Sequence, residues 1–142
     1  MTNARFRFTI IYNMLTVRFE QEERAARAYE ELGLSEPVRG ANFVMYDGVA
    51  PAALMRMSVR AGEVPTATVD KILFKDGLDE GDKKFFLHAM FFKLREGSPI
   101  KLRLDFFDSD YLVFGFEERD GGMEIFSGDI NLYYNCGGRR NG

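Results

Sequence analysis

The chain has 142 residues, 46% of them hydrophobic, and a formal net charge of -3. This length predicts one globular domain that buries about 70% of the surface exposed by the unfolded chain, which excludes a disordered tail protein. The longest apolar run, Val49 to Met55, is far shorter than the roughly 20 residues that span a bilayer, so we expect no membrane partner. A slightly acidic chain also lacks the basic charge of a nucleic-acid binder, and we expect no such partner.

The cysteine content and the N-terminal segment indicate the compartment. Cys136 is the only cysteine, which cannot form an internal disulfide and is typical of a reducing cytoplasm. The apolar stretch after Arg5 and Arg7 is interrupted by Asn13 and Arg18, and no small-residue cleavage site follows it. We therefore expect a cytoplasmic protein without an export signal.

Hydrophobic periodicity in the first half predicts a strand, a helix and a three-stranded meander. Alternation predicts a strand over Arg5 to Ile11, and Glu20 to Leu32 has the spacing of an amphipathic helix that Gly33 ends. The meander strands are predicted at Asn42 to Tyr46, Ala53 to Arg60 and Thr66 to Phe74.

The connection between the first two meander strands has a turn signature. Asp47 and Gly48 are predicted to supply the two left-handed positions of a tight hairpin turn. Pro51 follows closely and is predicted to mark a bulge or a sheet edge, because proline cannot donate to a strand ladder.

The dominant helix is predicted from Asp79 to Arg95, with Asp79 as its cap. Its only polar stripe consists of Lys84, His88 and Arg95, and its other faces are largely aromatic and aliphatic. Such a helix needs cover on nearly every side, so we expect it to lie across a sheet at the centre of the core.

In the second half, a strand is predicted at Ile100 to Phe106, and a short helix begins at Asp108 or Ser109 and ends at Phe114. A hairpin is predicted next, with strands at Phe116 to Arg119 and Met123 to Phe126 and the turn Asp120-Gly121-Gly122 between them. We expect a single α/β (α+β) domain over residues 1–134, with a mixed, mostly antiparallel sheet around a central buried helix. Residues 135–142 are predicted to form a flexible tail rich in glycine and arginine.

The segment Tyr111 to Phe116, followed by Glu117, Glu118 and the Asp-Gly-Gly turn, resembles the C-terminal signature of GNAT-type N-acetyltransferases. In that family an aromatic-rich short helix carries a tyrosine four residues before Gly-Phe, and a hairpin follows. The resemblance extends over roughly Asn42 to Ser127. Within it, Phe43 to Arg60 is similar to the second and third strands of the family, Val69 to Phe74 to the fourth, and Phe85 to Leu94 to the helix that flanks acetyl-CoA.

The resemblance implies a GNAT-like fold, acetyl-CoA or another acyl-CoA as cofactor, and a small amine as substrate. The amine must lose a proton and the leaving thiolate must gain one, so the resemblance implies Tyr111 as general acid and Asp70 as general base. The alternatives are a packing aromatic at Tyr111 and an ion-paired surface carboxylate at Asp70.

The family binds pyrophosphate with backbone N–H groups where the fourth strand gives way to the helix. In the corresponding stretch of this chain Gly81 alone matches, and Lys83 and Lys84 are the further cofactor-binding candidates. Three carboxylates, those of Asp79, Glu80 and Asp82, place negative charge where two phosphates would lie. The alternative is an acidic helix N-terminus that the helix dipole stabilises.

Two other reactive residues lack the neighbours that chemistry requires. His88 has no cysteine or carboxylate four residues away on its helix, so no metal site is predicted. Cys136 lies in the glycine-rich tail with no histidine nearby, which does not favour a nucleophile.

The sequence leaves open whether the protein is an enzyme. One hypothesis is a divergent acyl-CoA-dependent N-acyltransferase that acts on an amino group. The other is a non-catalytic GNAT-like binding or dimerisation module, for which a homodimer is the simplest partner.

Overall fold

The computed structural model describes residues 10–12 and 14–132. These residues form eight strands: β1 (Ile10–Tyr12), β2 (Leu15–Glu20), β3 (Ala41–Asp47), β4 (Ala50–Arg60), β5 (Thr66–Phe74), β6 (Lys101–Leu104), β7 (Glu117–Arg119) and β8 (Gly122–Phe126). The helices are α1 (Glu22–Glu31) and α2 (Glu80–Glu96), with two short 3-10 helices at Ser109–Phe114 and Ser127–Asp129. Cys136, the predicted tail and most of the predicted strand Arg5 to Ile11 lie outside the described residues.

The chain divides into two compact units, and each is described by itself. The first comprises Met1–Ser58 and Asp70–Met90, and the second comprises Val59–Val69 and Phe91–Gly142. Three elements, β4, β5 and α2, begin in one unit and end in the other.

The first unit contains an antiparallel run of strands from β1 to β4. Helix α1 packs on this sheet through a buried cluster whose members are Ala25, Ala28, Tyr29, Val44 and Leu54. Strand β2 was not predicted from the sequence. It pairs along its whole length with β3 and buries Leu15 and Val17.

The hairpin between β3 and β4 corrects one prediction and confirms another. Asp47 is the last residue of β3 and pairs with Ala50, so the two turn residues are Gly48 and Val49. Only Gly48 has a positive φ, of 66°, so the left-handed conformation predicted for Asp47 is wrong. A turn with glycine at its first central position requires positive φ only there. The register shifts beside Pro51, which confirms the predicted bulge.

The second unit contains the one parallel strand pair found among the described residues. Thr66–Val69 of β5 pairs with Lys101–Leu104 of β6, because α2 carries the chain back to the edge where β5 began. β6 pairs with β8, and β8 with β7, both antiparallel, so that the strand order is β1-β2-β3-β4-β5-β6-β8-β7. The sheet is therefore mixed and mostly antiparallel, as predicted. The parallel ladder stops after Val69, although β5 continues to Phe74.

Helix α2 begins as the sequence predicts. The Asp79 carboxylate accepts a hydrogen bond from the Asp82 N–H at 2.8 Å, which confirms the predicted cap. The buried residues of the helix are Phe86, Leu87, Ala89, Met90 and Phe91. Phe92 is 45% exposed, so the cover expected on nearly every side is incomplete. A helix that lies on a sheet buries the side chains of one face only. Within the described residues, no helix is long and apolar enough to cross a membrane.

The hairpin between β7 and β8 requires a glycine in a strand, at a position that was predicted to lie in the turn. Asp120 and Gly121 have φ of 50° and 77° and form the turn, whereas Gly122 is the first residue of β8 and pairs with Arg119. A Cβ at Gly122 would collide with the carbonyl oxygen of Leu104 on the neighbouring strand.

We expect Gly122→Ala to lower the free energy of unfolding by about 3 kcal/mol, because the backbone oxygen that the methyl group meets cannot move without displacing β6. Denaturant unfolding measures the change. Gly128→Ala is the matched control, since its Cβ would meet no described atom within 4 Å. Equal loss in both variants, or no loss in Gly122→Ala, would contradict this account of the hairpin.

Candidate functional site

Tyr111 lies in the short 3-10 helix Ser109–Phe114, which local signals begin and end. The Asp108 carboxylate accepts a hydrogen bond from the Asp110 N–H at 2.9 Å and caps the helix. Gly115 ends it in the left-handed conformation with φ of 101°. Both limits confirm the sequence prediction, and they fix the position of Tyr111 relative to the β7–β8 hairpin that follows.

The Tyr111 side chain is enclosed by aromatic rings and is only 4% exposed. Its ring centroid lies 6.1 Å from that of Phe91, 5.9 Å from that of Phe106 and 6.0 Å from that of Phe116, all in edge-on geometry. The hydroxyl forms no hydrogen bond with any of residues 14–132. A buried tyrosine hydroxyl usually has a hydrogen-bond partner, and Tyr111 has none among the described residues.

The electrostatics of Tyr111 keep its proton in place. Burial raises the pKa of the phenol, and the negative charges of Asp108 and Asp110 raise it further. The hydroxyl is therefore fully protonated at neutral pH and can donate a hydrogen bond or a proton.

Asp70, on β5, is held by a buried arginine in the first unit. The Arg56 side chain is 1% exposed, and its Nε donates to Asp70 Oδ1 at 2.7 Å while its Nη1 donates to Glu36 at 3.0 Å. Ser58 Oγ donates to the second oxygen of Asp70 at 2.7 Å. Both carboxylate oxygens of Asp70 are thus engaged.

The same arginine connects this cluster to α1 and to the segment that follows α1. Arg56 Nη1 lies 3.4 Å from the hydroxyl of Tyr29, which donates to Asn42 Oδ1 at 2.7 Å. The Asn42 amide in turn donates to the carbonyl of Arg39 at 3.0 Å, and Arg39 Nη1 lies 3.3 Å from Asp70. The network therefore fixes residues 36–42 against the sheet. Sequence reasoning missed Arg56, although a single arginine inside the apolar strand β4 was the available signal.

The network determines the charge state of the Asp70 carboxyl. Burial raises its pKa, but hydrogen bonds from Arg56 and Ser58 outweigh burial, so the pKa lies below its ordinary value. The hydrogen bond from Arg56 lowers the pKa of Glu36 in the same way. A carboxylate held in this manner is a weak proton acceptor, and the arrangement favours a structural role for Asp70. The base role stays a prediction.

The predicted cofactor residues lie in the first two turns of α2, where Gly81 and Lys84 are exposed. Lys83 Nζ lies 3.7 Å from the Glu80 carboxylate and 5.4 Å from the centre of the Phe74 ring. Two backbone N–H groups of the first turn already have acceptors, since Asp82 donates to the Asp79 side chain and Lys83 to the Asp79 carbonyl at 3.1 Å.

The charge at this helix N-terminus is also unfavourable for an anion. Burial raises the pKa of Asp82, and the carboxylates of Asp79 and Asp47 raise it further. Two phosphates would add negative charge to this group of carboxylates. The residues at the start of α2 therefore do not fit a pyrophosphate in the manner that the resemblance implies.

A metal centre has no ligands in the part of the chain that the structure describes. Residues 14–132 contain no group of three or more histidine, cysteine, aspartate or glutamate side chains that could hold an ion. His88 is half-buried on α2.

We expect Asp70→Asn to lower the free energy of unfolding at pH 7 by about 2 kcal/mol, because it leaves buried Arg56 with one carboxylate partner. The carboxyl pKa values of Asp70 and Glu36 are lower in the folded chain than their ordinary values of about 3.9 and 4.3. Their contribution is therefore present above those ordinary values and is lost as the pH falls through the folded values.

Thermal unfolding between pH 7 and pH 3 measures both effects. The wild-type Tm should fall steeply below about pH 4, and the Tm of Asp70→Asn should depend less on pH in that range. Asp76→Asn, at an exposed carboxylate without an ion pair to residues 14–132, is the matched control. A wild-type profile in Asp70→Asn would show that the ion pairs contribute nothing.

No protein-family model matches the sequence, and no curated protein matches it. Solved structures do match the fold. A chain of the KacTA–DNA complex superposes with a TM-score of 0.59 at 11% identity, over 86% of this chain and 99% of that chain. Arabidopsis thaliana Naa50, in complex with a CoA-containing bisubstrate analogue, gives 0.53 at 10% identity over 80% and 97%. The ribosomal-protein-S18-alanine N-acetyltransferase of Escherichia coli gives 0.55 at 16% identity over 78% and 89%.

The sequence identities are low, so these likenesses establish the architecture and leave the activity to be argued separately. The chain has the fold of GNAT-type N-acetyltransferases.

Proposed function

We propose that the protein is a divergent acyl-CoA-dependent N-acyltransferase that transfers an acyl group to the amino group of a small amine. The fold supports the proposal, because the N-acetyltransferases named above share it. The observation that carries it is the buried Tyr111 hydroxyl, which has no hydrogen-bond partner among residues 14–132.

The chemistry requires a proton donor, and Tyr111 has the properties of one. Its Oη keeps a proton at neutral pH because burial and two neighbouring carboxylates raise its pKa. Its three edge-on aromatic neighbours exclude water, which strengthens any hydrogen bond that the hydroxyl makes to a bound molecule. We assign the general acid to Tyr111.

The capped and acidic N-terminus of α2 does not favour binding of coenzyme A at the turn that precedes this helix. The proposal therefore places no phosphate at Gly81, Lys83 or Lys84. The CoA analogue belongs to the Naa50 structure, and it supports acyl-CoA as the donor class to test on this chain.

A non-catalytic binding or dimerisation module is the second candidate function. The observation that favours it is the same helix N-terminus, where the Asp79 carboxylate and carbonyl accept hydrogen bonds from the backbone N–H groups of Asp82 and Lys83. Such a module would keep the fold and use its surface for a partner, including a second copy of this chain.

Binding of acetyl-CoA is expected to raise the Tm in a dose-dependent way, because a ligand that binds only the folded state stabilises it by RT ln(1 + [L]/Kd). Thermal unfolding with increasing acetyl-CoA measures the shift, with acetate at matched ionic strength as control. An unchanged Tm at millimolar acetyl-CoA would contradict the acyltransferase proposal. Concentration-dependent association in sedimentation experiments would then support the module.

We expect Tyr111→Phe to lower kcat roughly 100-fold or more, as for loss of a general acid, with unchanged affinity for acetyl-CoA. Its Tm should stay the same or rise, since the hydroxyl removed has no partner among the described residues. Thiol release from acetyl-CoA in a pool of small primary amines provides the assay.

Tyr46→Phe is the matched control for this experiment. The Tyr46 hydroxyl donates to the Glu20 carboxylate, so its loss should lower the Tm while turnover is retained. Equal turnover in Tyr111→Phe and the wild type would remove Tyr111 from the mechanism.

A further inference from the structure

Three arginines converge on one pocket of the first unit, although the chain as a whole is acidic. Arg18 on β2 and Arg24 and Arg27 on α1 line a pocket of about 280 Å³ beside the β3–β4 turn. Thr16, Tyr46 and Val49 complete the part of the lining that bears on binding, and no acidic side chain of the described residues lines the pocket. The volume lies just below the roughly 300–1,000 Å³ that small-molecule pockets usually have.

The arginines are only partly neutralised by their neighbours. Arg27 Nε lies 3.1 Å from the Glu31 carboxylate, and Arg18 Nε lies 4.0 Å from that of Glu20. Arg24 makes no ion pair or hydrogen bond with residues 14–132. Two carboxylates therefore face three guanidinium groups, and the pocket keeps a positive charge.

The two hydroxyl groups of the pocket, those of Tyr46 and Thr16, differ in their hydrogen bonds. The Tyr46 hydroxyl donates a hydrogen bond to the carboxylate of buried Glu20. The Tyr46 ring therefore forms a wall of the pocket, and its hydroxyl hydrogen is not available to a ligand. The Thr16 hydroxyl has no hydrogen bond to the described part of the chain and remains available as a donor. Burial and the bond to Glu20 raise the pKa of Tyr46, while the charges of Arg18 and Arg24, which line the same pocket, oppose that rise.

We infer that this arginine pocket binds the phosphate group of a small ligand. A guanidinium presents a planar set of donors that matches a phosphate in bidentate geometry, and three of them with one hydroxyl can satisfy a tetrahedral oxyanion. Val49, at the turn, adds an apolar wall that suits the organic part of a phosphate monoester. The site does not depend on the acyltransferase proposal.

The test is an NMR titration of the full chain labelled with ¹⁵N, at constant ionic strength, with inorganic phosphate, phenyl phosphate and acetate as probes. We expect saturable shifts of the Thr16, Gly48 and Val49 amides with both phosphates. Tighter binding of phenyl phosphate would assign the site to a phosphate monoester, and equal binding would assign it to free phosphate. Acetate that binds as tightly as either phosphate, or no saturable shift, would overturn the proposal.

Variants at exposed positions keep the experiment independent of folding. Arg24→Gln and Arg27→Gln should each weaken phosphate binding roughly tenfold, as for loss of one charge-assisted hydrogen bond. Arg60→Gln is the matched control, because Arg60 is an exposed arginine at the end of β4 and the charge change is the same. Equal weakening in Arg60→Gln would show a non-specific charge effect and contradict a built site.

Discussion

The buried guanidinium of Arg56 is the constraint around which the first unit is arranged. A charge that is 1% exposed is stable only when it is paired and hydrogen-bonded, and Asp70, Glu36 and Tyr29 supply those partners from three parts of the chain. Satisfying this one side chain therefore fixes the segment after α1 and the middle of β5 together. Arg56 also binds the carboxylate of Asp70, to which the family resemblance gives the role of general base. Asp70 therefore has a structural role in the fold and a predicted role in catalysis.

Tyr111 and the N-terminus of α2 differ in how well they suit acyl transfer from coenzyme A. The Tyr111 hydroxyl is buried, protonated and unpaired among the described residues, and these are the properties that the proposed general acid requires. The N-terminus of α2 is capped by its own aspartate and surrounded by carboxylates. An acyltransferase built on this chain must therefore hold its donor by contacts other than the phosphate turn of the family. The arginine pocket shows that the chain does concentrate positive charge, at the β3–β4 hairpin.

Features set by local sequence could be predicted, and features set by tertiary contacts could not. The limits of β5, the Asp79 cap and the Asp108-to-Gly115 helix follow from side chains within a few residues of each other, and all were correct. The alternation in Leu15–Glu20 also predicts a strand, but the helix was predicted to begin at Glu20 and no strand was predicted before it. The Asp47 turn was wrong because Asp-Gly has two placements in a hairpin, and the pairing of Asp47 with Ala50 selects between them. Arg56 and Asp70 are fourteen positions apart in the sequence. At that separation no local sequence pattern indicates that the two side chains form an ion pair.

The central claim is that Tyr111 presents a protonated, unpaired hydroxyl to a bound acyl donor. ¹³C NMR of ring-labelled tyrosine observes this group directly, with Tyr111→Phe to assign its resonance. The account predicts a signal that does not titrate near the ordinary tyrosine pKa of about 10 and that shifts when acetyl-CoA is added. A signal that titrates near 10 and is unchanged by acetyl-CoA would contradict it.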